Sequence, residues 1–441
     1  MEMQGFLGKS FSCDYCGREH KVDVRSIEYG EMEELGGFIA KLSGRGKKVF
    51  ILADNITWEA AGKTIQDVLC ARFETTSCIL RPVGEKRVTA REEYLGEIKR
   101  KAEGSDIILT VGTGTVSDLG KITGEVMGIP VACFPTAPSM NGYTSPVAAF
   151  IKGGLKLTLP VNQASGVFCN MDVLRNSPLE LIKSGFADSL AKAFANGDWK
   201  ISSLVTGENF CPLPYRIVSR SEKKYMDRGD QLAMKDPSVI RALMDALNLG
   251  GISMAIAGKS SPASGGEHMI SHFLDMYAHA YRDEVFAYHG IQVGTGILVS
   301  SMLYSELRGL SRKQIEKMVE KTKIDYDGKL RELLQLFPSA SDLIKEEFEK
   351  KMKLARLLRN LLPEKWEQIK EEAFAVAYPP EKMTDVFRKA GVPGSFREIG
   401  VDEKTACNAI CLARFIRGRL TVLDIAGEAG ILEEFAQGHK G

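Results

Sequence analysis

The chain lacks any marked excess of charge: 58 lysines and arginines face 57 aspartates and glutamates over 441 residues, a formal net charge of +1. That balance removes any global electrostatic reason to seek nucleic acid or an anionic membrane. No stretch is read as reaching the roughly 18 apolar residues of a membrane-crossing helix. The opening Met1-Glu2-Met3-Gln4-Gly5 has no basic segment and no apolar run behind it, so a secretory leader is not expected. Nine cysteines, odd in number and scattered, do not form a disulfide framework. Internal repeats and low-complexity linkers are also missing. These absences point to a cytoplasmic globular protein whose partners are small molecules, with no role for nucleic acid or membrane. The content is 44% hydrophobic and 26% charged residues, which excludes disorder as the dominant state. The length allows two or three domains with ample core.

What is present divides into two textures. Up to residue 172, short apolar runs alternate with amphipathic ones. Strands are expected at Lys47–Ala53, Cys78–Leu80, Asp106–Val111 and Ile129–Phe134, and helices at Trp58–Leu69, Ala90–Ala102 and Val116–Met127. Continuous apolar strands between helices are the sequence form of a parallel sheet covered on both faces. From residue 173 the strand-like runs give way to helical patterns with charged faces. Ser311 reads as an N-cap of a helix to Thr322, and Asp342–Leu361 as an amphipathic segment whose lysines and glutamates face solvent. The expectation is an α/β domain over 1–172 and an all-helical domain over 173–441, with the active site in a cleft between them.

Two loops follow strand ends in the first half. Gly112-Thr113-Gly114-Thr115 leads into a helix carrying Asp118, and glycines there let backbone N–H groups approach a pyrophosphate at the helix's positive end. The pattern is not G-x-G-x-x-G, and a purely structural turn is an equal reading. Asp54, closing the first strand, is placed to accept from an adenosine ribose, or else simply turns the chain before an N-cap at Asn55 or Thr57. The second loop, Pro135-Thr136-Ala137-Pro138-Ser139-Met140-Asn141-Gly142-Tyr143, is rich in hydroxyls and amides where open α/β sheets bind ligands. An ordinary turn-rich loop reads equally well.

Histidine is scarce, yet four of the six fall between 268 and 289. His268 and His272 stand at i and i+4 on one helix, His289 precedes a glycine at a helix start, and Asp188 lies early on an upstream helix. One carboxylate with two or three imidazoles suits Zn²⁺, Ni²⁺, Fe²⁺ or Mn²⁺ and leaves a position open for substrate. Cys13-Asp14-Tyr15-Cys16 resembles half of a zinc ribbon, but no second Cys-x-x-Cys follows, so a hairpin turn is the favoured reading over a structural metal or redox pair. Cys407 and Cys411 read as core.

Taken in order, the motifs resemble a known family. Gly-Thr-Gly with Asp118 and Lys121, Pro-Thr-Ala-Pro-Ser-Met-x-Gly-Tyr, Gly-Phe-x-Asp188-x-x-x-Lys192, Ser-Pro-Ala-Ser-Gly-x-Glu-His268-x-Ile-Ser-His272 and His289-Gly-x-Gln-Val-Gly are similar to the glycerol-1-phosphate dehydrogenases. These belong to the iron-alcohol-dehydrogenase and dehydroquinate-synthase-like superfamily. The early Cys-x-x-Cys-Gly-x-x-His resembles a feature of the family's bacterial AraM-type branch. The resemblance covers residues 10–300.

The resemblance implies metal ligands Asp188, His268 and His289, with His272 lining the site. It further implies dinucleotide phosphates at Gly112, Gly114, Thr115 and Asp118, ribose at Asp54, and the nicotinamide side at Thr136, Ser139 and Tyr143. The activity implied is reversible NAD- or NADP-linked reduction of dihydroxyacetone phosphate to sn-glycerol 1-phosphate, with zinc or nickel as the expected ion; a homodimer is the expected assembly, apart from the resemblance. Asn141 stands where the family usually has aspartate; an amide exchanges hydrogen bonds but takes up no proton, so a water or His272 would carry it. Lys152, Lys156 and Lys192 are the cationic candidates for a substrate phosphate. A polyol dehydrogenase, a cyclase and a non-catalytic dinucleotide-binding homologue are the competing readings.

Overall fold

A computed structural model describes residues 3–83, 86–152, 155–282 and 284–438. Its centre is a six-stranded sheet in which every neighbouring pair is parallel. Among the described residues the strands are β1 (Lys9–Ser12), β2 (Glu19–Val22), β3 (Ser26–Tyr29), β4 (Lys48–Asp54), β5 (Glu74–Leu80), β6 (Ile107–Gly112), β7 (Val131–Pro135), β8 (Val147–Lys152), β9 (Leu155–Pro160) and β10 (Gly166–Cys169). The sheet runs β3-β10-β7-β6-β4-β5. β6 and β7 are buried along their whole length and β4 over its middle, as a sheet flanked by helices on both faces requires. Val49, Ile51, Ala53, Ile107, Leu109, Val111, Ala132 and Phe134 build one core with Leu35, Phe38, Ile65 and Leu69.

The chain leaves β4 for β5 at the edge, then crosses back over β4 to β6 and continues the other way. The order therefore reverses between β4 and β6, and crevices outside the carboxyl ends at such a point are where open α/β sheets bind ligands. Asp54 and Gly112 are the last residues of these two strands.

No strand follows Cys169 among the described residues; the remainder is helical. Compact packing groups Met1–Lys152, Lys156–Ser189 and Pro212–Ser260 into one unit, and Gly153–Leu155, Leu190–Cys211 and Ser261–Gly441 into a second. Helices from beyond residue 172 thus belong to the sheet-bearing unit.

Several local expectations are corrected. The segment expected as one helix from Trp58 opens as a π-helical turn, Trp58–Gly62, before the α-helix Lys63–Cys70. The β1–β2 hairpin and the edge strand β3 carry too few apolar residues to stand out in the sequence, and the β8–β9 pair, apolar as it is, forms a separate two-stranded sheet that is not among the expected strands. Helix Pro237–Ala257 is long and apolar enough to cross a membrane by composition, contrary to the reading that no stretch is; 78% of its most apolar window is buried inside the protein, as a core helix requires. Ser311 caps Arg312–Lys321 through a capping box, as expected. On the helix Ser341–Glu372 the expected solvated face fails at Lys351, which is fully buried with its ammonium 2.9 Å from both oxygens of Asp424. Cys407 and Cys411 are half-buried, not core.

Candidate active site

The helix Gly114–Met127 starts directly after β6, and its N-cap Thr113 supplies no side-chain hydrogen bond. The first-turn N–H groups are therefore left to solvent or a ligand, which fits an anion. Gly112 cannot carry a side chain, because a Cβ there would lie 2.8 Å from the Val116 Cβ. Gly114 and Thr115 are half-buried at this end, while Asp118 is buried one turn on. Burial raises the Asp118 carboxyl above its ordinary range despite the Lys121 ammonium 3.5 Å away. Lys121 is itself buried and donates to the carbonyls of Gly142 (2.8 Å) and Val147 (2.6 Å). The lysine thereby ties the helix to the loop after β7.

At the end of β4, Asp54 is itself the N-cap of the following turn. Its Oδ1 accepts from the N–H groups of Ile56 (2.9 Å) and Thr57 (2.7 Å), and Thr57 Oγ1 accepts from the Asp54 N–H. The cap expected at Asn55 or Thr57 therefore belongs to Asp54, leaving only Oδ2 outside these bonds.

In the loop after β7, the Thr136 N–H donates to the Gly112 carbonyl (3.1 Å), joining the two loops. Thr136 and Ser139 are buried. Tyr143, expected beside the nicotinamide or substrate, is fully buried and donates its hydroxyl to the Ala137 carbonyl at 2.8 Å. The phenol thus braces the loop from inside. Gly185, on helix Leu179–Leu190, lets that helix approach the same loop: a Cβ would collide with the Pro138 carbonyl. This contact explains the glycine three residues before Asp188.

Asp188, His268 and His289 each offer one ligand atom, and the three atoms lie within 4.8 Å of one another. Asp188 and His268 are buried, His289 half-buried. A carboxylate and two imidazoles that close form a donor set for a divalent ion, with coordination positions to spare. Each ligand is held by a neighbour. The Asn141 N–H lies 3.2 Å from Asp188 Oδ2, and its side-chain Nδ2 lies 3.3 Å from Oδ1. His268 Nδ1 is 2.8 Å from Glu267 Oε1, and His289 Nδ1 is 3.2 Å from Ser271 Oγ. Gln292 donates to Asp275 (2.7 Å) behind that serine. His272 is buried with its ring stacked on His289 (centroids 5.9 Å apart) and edge-on to His268 (6.2 Å), so it lines the cluster without belonging to the ligand group.

Spacing in the sequence gives Glu267, Ser271, Gln292 and Asp198 no role of their own. Asp198 is buried and accepts from the Gly266 N–H (2.7 Å), the Val422 N–H (2.8 Å) and the Tyr304 hydroxyl (2.7 Å). Burial, reinforced by the nearby Glu267 charge, raises its carboxyl to about 8. The glycines of Ser-Gly-Gly-Glu-His have a packing reason: a Cβ on Gly265 would overlap the Asp198 and Glu267 carboxylates. Among the three lysines considered for phosphate, Lys152 is exposed, Lys156 is half-buried and near enough to Asp118 to interact, and Lys192 is buried.

Comparison with known proteins bears on the family and the fold. Residues 26–178 match the family model described as iron-containing alcohol dehydrogenase. The glycerol-1-phosphate dehydrogenase [NAD(P)+] of Bacillus licheniformis is 29% identical over 98% of this chain and 96% of its own. The enzyme of the same name from Halalkalibacterium halodurans is 32% identical over 68% of this chain and 75% of its own. Among solved structures, the iron-containing alcohol dehydrogenase of Thermococcus thioreducens shares the fold with a TM-score of 0.60, at 15% identity over 95% of this chain and 100% of that one. The chain belongs to the glycerol-1-phosphate dehydrogenase family of iron-alcohol-dehydrogenase-type oxidoreductases.

Proposed function

We propose that this protein catalyses the reversible NAD(P)H-linked reduction of dihydroxyacetone phosphate to sn-glycerol 1-phosphate, as a cytoplasmic homodimer carrying one zinc or nickel ion at Asp188, His268 and His289. The observation that carries this reading is the convergence of those three ligand atoms within 4.8 Å. The identity of the substrate rests on the relatives' names. None of the nine cysteines is in a disulfide, in keeping with a reducing compartment.

When bound, the ion supplies Lewis acidity toward a carbonyl oxygen and the dinucleotide supplies the hydride. The chain's own residues do the rest. Gly112, Gly114 and Thr115 present backbone N–H groups to the pyrophosphate, and Asp54 keeps Oδ2 for the ribose. A carboxylate at that position disfavours a 2′-phosphate, so NADH is the preferred partner. Glu267 and Ser271 hold the Nδ1 atoms of His268 and His289, which assigns Nε2 of each ring to the ion. Asn141 steadies Asp188 with two donors, a positioning role that needs no proton uptake. His272, beside both ligand rings, delivers a proton to the substrate oxygen from a ring nitrogen. Lys192 and Lys156 are the cations assigned to the substrate phosphate.

The test is NADH oxidation by metal-stripped protein with dihydroxyacetone phosphate or dihydroxyacetone, after return of Zn²⁺ or Ni²⁺. Turnover that needs metal and is confined to the phosphorylated ketone is expected. Equal turnover of dihydroxyacetone would instead assign a polyol dehydrogenase, and silence with both despite NADH binding would end the catalytic reading.

A further inference from the structure

A second group of metal-binding side chains is present, distinct from the one above. Cys13, Cys16, His20 and Cys211 each offer one ligand atom, and all four atoms lie within 4.8 Å of one another. The turn between β1 and β2 is shaped for this. The Cys13 carbonyl accepts from both the Cys16 N–H (3.3 Å) and the Gly17 N–H (2.8 Å), while the Cys13 N–H donates to Arg18 (2.9 Å). Gly17 has φ +67°, the left-handed region that a side chain resists, and this curl brings the two Cys-x-x-Cys sulfurs to one side. His20, on β2, then sets Nε2 3.2 Å from Cys16 Sγ. A further hydrogen bond ties the imidazole to the backbone of Ile256, the outer tether that metal-bound histidines commonly make.

The fourth group comes from far along the chain. Cys211 is buried immediately before Pro212, the N-cap of helix Leu213–Glu222. On that helix the Arg216 guanidinium lies 4.7 Å over the ring of Tyr15, at the hairpin tip between the two cysteines. The missing half of the zinc ribbon is thus a single cysteine delivered by tertiary packing.

We propose that Cys13, Cys16, His20 and Cys211 form a closed structural zinc site. Three thiolates and one imidazole are a common structural set for this ion, with bonds of about 2.3 Å to sulfur and 2.0 Å to nitrogen. A tetrahedron of those bond lengths has edges of about 3.4–3.8 Å, a size comparable with a cluster whose ligand atoms all lie within 4.8 Å of one another. A disulfide would use two of the three sulfurs and strand the third beside the imidazole, and none of the three is in one. With all four positions filled by protein, no site is left for substrate, so the role is structural. The ion pins a two-stranded hairpin that is marginal by itself.

The experiment uses full-length protein purified without a metal-affinity tag, in a His268→Ala background so that any ion at the other cluster is lost. Elemental analysis is expected to find one zinc per chain. It should survive dialysis against a chelator, and mercurial titration of thiols should release it. Adding Cys211→Ser, or separately His20→Ala, should remove that zinc. Where those variants fail to fold, cobalt substitution of the His268→Ala protein gives the same answer. An intense thiolate-to-cobalt charge-transfer band with tetrahedral d–d bands supports the site. Folded protein that holds no zinc after purification and zinc addition, or that has a disulfide among Cys13, Cys16 and Cys211, overturns it. The result is independent of the catalytic proposal, since neither ligands nor readout are shared.

Discussion

The loops at the sheet's carboxyl end and the histidine cluster on the helices solve the same problem, holding polar groups in place, by opposite means. Around Gly112 and Thr136 the holding groups are backbone: carbonyls and N–H groups tie loop to loop, and side chains are excluded where they would crowd. Around His268 and His289 the holding groups are side chains: Glu267, Ser271 and Gln292 stand behind the imidazoles, with buried Asp198 receiving the helix-start N–H of Gly266. A phosphate chain is long and is recognised by many weak donors, which backbone supplies. A metal ion needs a few atoms at fixed angles, which only side chains braced from outside can supply. Substitutions should therefore be abrupt on the helices and graded in the loops.

The largest effect is expected from His268→Ala, which removes a ligand outright. Turnover should fall by about 10³-fold or more, since Lewis-acid stabilisation is worth several kcal/mol, while NADH binding followed by fluorescence persists. Full activity would detach the cluster from the chemistry. Next is Lys351→Met, which leaves the Asp424 carboxylate buried without its ammonium. A loss of about 3–5 kcal/mol in denaturant unfolding is expected, unless the neighbouring Arg414 guanidinium, 3.7 Å from that carboxylate, takes over.

In the loop region, Gly185→Ala pushes a methyl into the Pro138 carbonyl and should cost about 1–3 kcal/mol in unfolding free energy. An unchanged melting curve would show that the loop yields. Asn141→Asp exchanges a donor to Asp188 for a second carboxylate, so kcat/KM should change by roughly tenfold or less, with metal affinity following the added charge. A complete loss would make the amide indispensable. The smallest change is Asp54→Asn. The side-chain oxygen can still cap Ile56 and Thr57, so stability should fall by less than about 1 kcal/mol, while the ratio of NADPH to NADH use rises. An unchanged ratio would move the ribose contact elsewhere.

Legibility from sequence follows the same division. The strands β4, β6 and β7 announce themselves because burial on both faces demands continuous apolar runs. The i, i+4 histidines and the Gly-Thr-Gly turn are local signals, readable from spacing. Tyr143 is conspicuous in a ligand-side loop, but that its hydroxyl donates to the Ala137 carbonyl is visible only in the fold. Glu267 was visible inside its motif, but nothing in one dimension tells that its carboxylate lies against Nδ1 of the adjacent histidine.

By itself the sequence determined the parallel sheet and the helical second half, which are written in periodicity, while the ordered motifs carried the resemblance to the family and, through it, the expected ligands. Tertiary structure alone decided that Lys351 is buried against Asp424, 73 residues away, and that Cys211 meets Cys13, Cys16 and His20. The reason is physical: a helix or strand imposes its period on neighbours in sequence, whereas a contact made by folding imposes none. A charged residue on an amphipathic helix, or a cysteine before a proline, therefore looks the same whether its partner is water or a remote side chain.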